Sequence, residues 1–357
     1  MITPVIKLAE HCNLSCTYCY QSERLQSGPR MMTEETLQRI LEELDAIRQG
    51  SVSVLWYGGE PTVVGKRRFR KAVLRADGVF GQDQVAHYLQ TNGVLIDEEW
   101  ADFLQARRFK VTVSLDGPEE LHNLQRPRRN GRESHGASVR CVQVLRSRGV
   151  PVRVSCVVTP ATLAHADSIL EYFSGLDIVD VDFPPALLFR QGRSLPLVDP
   201  QEYGRFMARV FERWMELGPQ APRVRSLAGI MRALAGRQPG FCKLEGRCTR
   251  YLTFGSDGSV FPCDEFSGLP EYRLGNVHEA GLREILGSSR ARERWASWHQ
   301  LPEACAACRF SRVCRGGCPF ERQMAGGVDR PSLLCAGLQV LYQTIERQLS
   351  AVTTTLC

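Results

Sequence analysis

Three cysteines, Cys12, Cys16 and Cys19, lie in "HCNLSCTYCY" (11–20) at spacings of four and three. Three thiolates this close can fill three corners of a 4Fe-4S cubane from one tight loop, which leaves the fourth iron open to a substrate or cofactor. Zinc is the alternative: it takes four protein ligands in a structural role, or three and a water in a catalytic one. His11 could join such a set, although it adjoins Cys12 directly. Eight more cysteines crowd the C-terminal third: Cys242, Cys248, Cys263, Cys305, Cys308, Cys314, Cys318 and Cys335. They make two complete four-thiolate sites, whose filled shells suit electron transfer or structure. A pair of ribbon-like structural zincs also fits their spacing. Cys141 falls in an expected helix and Cys156 in an expected strand, as buried inert thiols do. Cys357, the last residue, has no pattern around it.

Fourteen cysteines in 357 residues, with no secretory signal in "MITPVIKLAE" and no apolar run long enough for a membrane span, place the chain in a reducing cytoplasm. There, dense cysteines bind metal more often than they pair. The net charge of +6, with both signs well mixed, does not call for a nucleic-acid partner.

The elements that must position these residues alternate regularly. Apolar runs near 4–9, 52–56, 84–90, 109–115, 151–158 and 178–183 read as strands. Amphipathic stretches near 33–47, 64–76, 97–107, 137–148, 164–174 and 200–216 read as helices, the first capped by Thr33. Six β-α units predict a parallel α/β sheet with right-handed crossovers, doubly wound or curled into a partial barrel. Barrel chemistry gathers at strand C-termini. The cysteine loop follows strand one, "YGGEP" (57–61) strand two, "QTNG" (90–93) strand three and "SLDG" (114–117) strand four. All four segments are expected at one mouth. The Pro/Gly-bearing stretch 218–240 marks a linker between a barrel, 1–217, and a cysteine-rich module, 241–340, with a C-terminal helix or tail at 341–357.

Cys12-xxx-Cys16-x-Tyr18-Cys19 resembles the signature loop of the radical S-adenosylmethionine (SAM) superfamily, and "YGGEP" and "SLDG" are similar to its second and ribose motifs. The resemblance implies a partial (β/α)6 TIM-type barrel whose open iron chelates SAM. Reductive cleavage of SAM then yields a 5′-deoxyadenosyl radical that takes a hydrogen atom from substrate. It places Tyr18 on the adenine, Gly58, Gly59 and Glu60 at the SAM amino group, and Ser114 and Asp116 at the ribose. Asn92 of "QTNG" completes the expected cofactor contacts. "DGSVFPCD" around Cys263 and "LGNV" (274–277) are similar to the SPASM extension of many such barrels. By position, Cys242, Cys248, Cys263 and Cys318 would hold one auxiliary cluster, and Cys305, Cys308, Cys314 and Cys335 a second. The implied cofactors are three 4Fe-4S clusters and S-adenosyl-L-methionine, fed by an electron donor of flavodoxin or ferredoxin type.

The substrate expected is a peptide or protein. "SLDGPEELHN", with Arg126 after it, "VSCVVTPATLAHADSILEYF" and the cysteine order resemble anaerobic sulfatase-maturating enzymes, which oxidise a seryl or cysteinyl side chain to formylglycine. In that group an aspartate after the third SPASM cysteine takes a proton, and here that place is Asp264. A turn-capping Asp264 is the structural alternative. The apolar, Pro-rich stretch 182–196 departs from that group and would help line the substrate mouth. The reading placed first is therefore a maturase of ribosomally made peptides (RiPPs) that crosslinks or oxidises side chains. Sulfatase maturation is the first alternative, and dehydrogenation or epimerisation of a sugar or aminocyclitol the second. Only 11 residues precede Cys12, so leader recognition would need a separate protein or the barrel face. The basic run "RPRRNGR" (126–132) would hold an acidic leader or the peptide carboxylate, or stand as a solvated loop.

Overall fold

The computed structural model describes residues 2–22, 30–190, 193–246 and 248–355. The expected strands are β1 (Thr3–Ala9), β2 (Val52–Gly58), β3 (Val85–Thr91), β4 (Lys110–Ser114), β5 (Val152–Ser155) and β6 (Asp180–Asp182), paired in chain order and all parallel. Helices Glu34–Asp45, Lys66–Phe80, Glu98–Ala106, His135–Ser147 and Ala166–Gly175 make the crossovers, and Pro200–Leu217 follows β6. Thr33 caps the first by accepting the Thr36 N–H. Trp56, Phe69 and Phe109 are buried between sheet and helices, with Trp56–Phe69 and Phe69–Phe109 centroids about 6 Å apart (5.9 and 6.0 Å). Cys141 and Cys156 are fully buried in this core, where inert thiols were expected. Cys357 lies outside the described residues.

Two features extend the sheet beyond six strands. After a hairpin of β7 (Leu187–Arg190) and β8 (Arg193–Pro196), β9 (Arg223–Val224) pairs with β6. The stretch expected as a linker thus supplies an edge strand and the helix Arg225–Leu234, because its prolines and glycines punctuate short elements. At the other edge, β10 (Tyr251–Phe254) runs parallel to β1, and β11 (Ser259–Phe261) and β12 (Gly275–Asn276) add antiparallel strands. One ten-stranded sheet therefore carries both modules, ending at β12 and β9 without closing.

The cysteine-rich module has its own small core of Phe266, Leu269, Tyr272, Trp298 and Phe320, with Phe266 stacked on Trp298 at 4.7 Å. Its last cysteine, Cys335, opens helix Cys335–Thr355, which lies along helix Pro200–Leu217. The crossing needs glycine on both sides. A Cβ on Gly337 would stand 1.7 Å from the Pro200 carbonyl oxygen, and one on Gly204 would stand 2.2 Å from that of Gly337. Among the described residues, no helix is long and apolar enough to cross a membrane.

Candidate active site

The loop carrying Cys12, Cys16 and Cys19 leaves the C-terminal end of β1, and two glycines let β2 close against it. Gly59 donates its N–H to Ala9 O at 3.0 Å and Glu60 donates to His11 O at 2.9 Å. A Cβ on Gly58 or Gly59 would fall 2.4 or 2.3 Å from those same oxygens. The paired glycines of "YGGEP" are thus required by backbone contact, beyond any need of an ordinary turn. The three thiols stand close enough to act on one another electrostatically. Burial, with Glu60 nearby, pushes Cys12 up to about 12, and burial pushes Cys16 up to about 11. Burial raises Cys141 in the same way, so the shift by itself marks only enclosed thiols, whose protons a bound metal would have to displace.

Glu60 is buried with its carboxylate fully engaged. Oε1 accepts from the Thr62 N–H (3.0 Å), Thr62 Oγ1 (2.6 Å) and Thr91 Oγ1 (2.8 Å), and Oε2 accepts from the Asn92 N–H (2.7 Å). Burial raises its pKa while these donors pull it back. Asn92 turns its amide to Asn13 Oδ1 at 2.8 Å and towards Cys12 Sγ at 3.7 Å. The ends of β2 and β3 and the cysteine loop therefore form one hydrogen-bonded surface.

The end of β4 holds the other side of the loop. Ser114 is half-buried, while Asp116 has no exposed surface. Asp116 Oδ2 accepts from Tyr18 OH (2.5 Å) and Arg126 Nε (2.8 Å), and Oδ1 accepts from the Val157 N–H (2.9 Å). The Arg126 guanidinium lies 5.3 Å from the Tyr18 ring centroid and points Nη1 at Cys16 Sγ, 3.9 Å away. His122 accepts the Asp116 N–H at 3.2 Å and reaches Ser134 Oγ at 3.0 Å, and Ser134 donates to Arg126 O. The stretch from "SLDG" to Arg126 is therefore a closed ring of contacts behind Tyr18. Sequence reasoning gave Arg126 and His122 no role of their own at the site. Their signal is the buried acid between them, which is invisible as a spacing. The basic run beyond Arg126 is pinned to the cysteine loop: Ser15 N–H donates to Pro127 O and Arg129 Nε to Cys12 O.

Asp264 reaches the same mouth from the cysteine-rich module. Its Oδ1 is 2.8 Å from Lys7 Nζ, and its Oδ2 accepts from Tyr20 OH. Tyr20 OH is 3.0 Å from Tyr57 OH and accepts from Gln21 Nε2 at 2.9 Å. Burial raises both tyrosines far out of the working pH range, so each phenol keeps its proton. Tyr20 follows Cys19 directly and Tyr57 precedes the glycine pair, yet neither position marks it as a partner of Asp264.

The eight later cysteines separate into two groups by mutual influence. Cys248, Cys263 and Cys318 act on one another and Cys242 acts on Cys248 and Cys318, whereas Cys305 feels Cys308 and Cys335, and Cys314 feels Cys305 and Cys335. Among the described residues, all thirteen cysteines are free, and no three His, Cys, Asp or Glu side chains converge as a single ion requires. All-thiolate sets spread over such groups have the donor chemistry of iron-sulfur cubanes.

Two family models match. One, described as the radical SAM superfamily, covers residues 6–173, and one described as an iron-sulfur cluster-binding domain covers 242–309. The chain is 31% identical over 317 residues to a cysteine-type anaerobic sulfatase-maturating enzyme of Clostridium perfringens, covering 86% of this chain and 85% of that one. A serine-type enzyme of Bacteroides thetaiotaomicron is 26% identical over 360 residues, covering 94% and 86%. The solved structure of native anSMEcpe with bound AdoMet and Cp18Cys peptide superposes with a TM-score of 0.88 at 28% identity, over 100% of this chain and 99% of that one. Streptococcus suis SuiB bound to S-adenosylmethionine, at 16% identity, TM-score 0.66 and 93% and 77% coverage, shares the fold.

Proposed function

This chain belongs to the radical SAM superfamily, in the branch whose barrel is followed by an iron-sulfur SPASM domain, and we propose that it oxidises a cysteinyl or seryl side chain of a protein or peptide to formylglycine. The observation that carries this reading is Asp264, held at the barrel mouth by Lys7 and Tyr20 directly after Cys263. The whole-length likeness to anaerobic sulfatase-maturating enzymes supports it. The RiPP-maturase reading placed first on sequence has no separate observation in its favour, because the likeness to SuiB is one of fold.

Cys12, Cys16 and Cys19 would hold the site-differentiated cluster, which with SAM supplies a radical that abstracts a hydrogen atom. Glu60 and Asn92 shape the cofactor side of the pocket, Ser114 offers its half-buried hydroxyl to the ribose, and Asp116 acts from behind by fixing Tyr18. The oxidation removes three things from the substrate side chain: a hydrogen atom from Cβ, a proton from sulfur or oxygen, and one electron. Asp264 accepts the proton, and Lys7 and Tyr20 orient its carboxylate. Clusters held by the eight later cysteines would supply the acceptor for that electron. Water then converts a thioaldehyde to the aldehyde with release of hydrogen sulfide, whereas serine yields the aldehyde directly. A small flavodoxin- or ferredoxin-type protein in the cytoplasm would supply the priming electron.

The test is anaerobic turnover of the iron-loaded chain with SAM, reductant and peptides carrying a single Cys or Ser. The cysteine peptide should lose its sulfur and two hydrogens and gain one oxygen, or the serine peptide should lose two hydrogens, and a hydrazide should capture the product. Deoxyadenosine formed without an aldehyde on either peptide overturns the reading.

A further inference from the structure

A buried arginine stands between the two auxiliary cysteine groups. Arg322 is only 1% exposed, in helix Pro319–Met324 directly after Cys318, whose carbonyl accepts the Arg322 N–H at 3.0 Å. Its Nη1 donates to Gln300 O at 2.8 Å and its Nη2 to Trp298 O at 2.5 Å. The segment holding those carbonyls leads directly into Cys305. Gly316, at φ +81°, would set a Cβ 3.3 Å from Nη1, so the loop between Cys314 and Cys318 is wrapped tightly round the guanidinium. Among the described residues no carboxylate pairs with it. The adjacent Glu321 is taken by Lys243 Nζ at 2.6 Å and Ser332 Oγ at 2.6 Å. Nε is buried with no acceptor.

A permanent cation this deep, with an unmet donor, is costly unless anionic charge comes to it. Cys318 and Cys248 act on it from one cysteine group, and Cys305 and Cys314 from the other. Four-thiolate cubanes would each bring about −2 there, so the missing negative charge would arrive with both clusters.

We propose that Arg322 is a shared counter-charge for the two auxiliary clusters, holding both reduction potentials up so that the electron released by substrate is accepted. It is a positioning residue, with no contact to substrate. The inference rests on the reading that these eight cysteines hold two 4Fe-4S clusters. A unit charge roughly 12 Å from a cluster in a medium of effective dielectric about 20 is worth a factor on the order of ten in an equilibrium constant.

The experiment is a redox titration of the fully loaded, full-length chain followed by electron paramagnetic resonance, comparing wild type with Arg322→Gln and Arg322→Lys. Iron and sulfide are counted first. A wild-type chain lacking either auxiliary cluster overturns the underlying reading and this inference with it. With both clusters present, Arg322→Gln should lower both auxiliary midpoints, by about tenfold in the oxidised-to-reduced ratio at fixed potential, and leave the Cys12–Cys16–Cys19 cluster unmoved. Midpoints that stay put, or a shift in only one auxiliary cluster, sink the inference alone. If Arg322→Gln does not load iron, Arg322→Lys decides, because its charge can be titrated. Both auxiliary midpoints should then fall together as pH rises, with a steeper dependence than in wild type, and equal slopes overturn the proposal.

Discussion

Lys7 and Asp264 form an ion pair, 2.8 Å between Nζ and Oδ1, although one lies in the first strand and the other in the last third of the chain. Lys7 is fully buried, and a lysine in that setting requires an anionic partner. The pairing of β1 with β10 brings the partner within reach, since Thr3–Ile6 and Tyr251–Phe254 run in register and Cys263 and Asp264 follow β11. The same strand that starts the barrel thus carries the cysteine loop on one end and, in its middle, an anchor for Asp264, the proposed proton acceptor. The two modules share one sheet, and the proposed reaction draws on residues of both.

Asp264→Asn is expected to separate the two halves of the reaction. Asparagine keeps an acceptor for Tyr20 but cannot take a proton from the substrate. Deoxyadenosine should still form from SAM while aldehyde falls by two or more orders of magnitude, read by mass spectrometry of the peptide alongside liquid chromatography of the nucleoside. Unchanged aldehyde would make the carboxylate structural.

The Arg126–Asp116 pair predicts a large stability effect close to the cofactor. Arg126→Met leaves a fully buried carboxylate with only Tyr18 and a backbone amide as donors, and breaking one partner of a buried pair costs about 3–5 kcal/mol. Arg126→Lys should recover little, because lysine has no planar group to lie over the Tyr18 ring. Urea unfolding would show the loss, and SAM affinity, measured by equilibrium dialysis with the loaded chain, should weaken along with it.

Much of the barrel was legible because strands and helices impose different periods on the same chain, and six alternations of 2 and 3.6 admit few folds. The cysteine loop and glycine pair were legible for a different reason: thiol spacing and Cβ-free positions carry meaning within ten residues. What escaped was nonlocal or hidden behind punctuation. Lys7 reads as one polar residue in a strand and Arg322 as one charge among cysteines, and no spacing shows that the oxygens of Asp116 meet Tyr18, Arg126 and Val157. The stretch 218–240 reads as a linker because its Pro and Gly residues draw the eye to a boundary: β9 has only two residues, whereas the helix Arg225–Leu234 runs nearly three turns and buries Leu227 and Ile230 on one face, a period the punctuation masks.

His122 predicts an acid-side loss of stability. Burial lowers its pKa from 6.5 to about 3, with Asp116 pulling the other way and Arg126 adding to the fall. Between those values the unfolded chain binds a proton that the folded chain refuses, so stability is complete above pH 6.5 and declines as pH drops towards 3. The decline approaches about 1.4 kcal/mol per pH unit for one group. Urea unfolding at about pH 5, 6 and 7, values that bracket the unfolded pKa, should show the gap between wild type and His122→Gln narrowing at lower pH, since the glutamine variant lacks this proton. A gap that stays constant would place the titration elsewhere.

The glycine crossing of helices Pro200–Leu217 and Cys335–Thr355 ties barrel packing to Cys335, which is proposed to hold an auxiliary cluster. Gly337→Ala would drive a methyl group into the Pro200 carbonyl, and backbone cannot yield as a flexible side chain does. Overpacking of this kind costs about 1–3 kcal/mol, and relief requires the two helices to separate. The helix that must move begins at Cys335, a member of the second cysteine group, so its thiol moves with it. The expected outcome is a lower melting temperature together with loss of one cluster's worth of iron, about 4 of about 12 irons per chain. Gly287→Ala, at a helix end where an added Cβ meets nothing within 4 Å, serves as the control and should keep all its iron. A Gly337→Ala chain that melts early but retains full iron would show that the helix crossing supports the barrel alone.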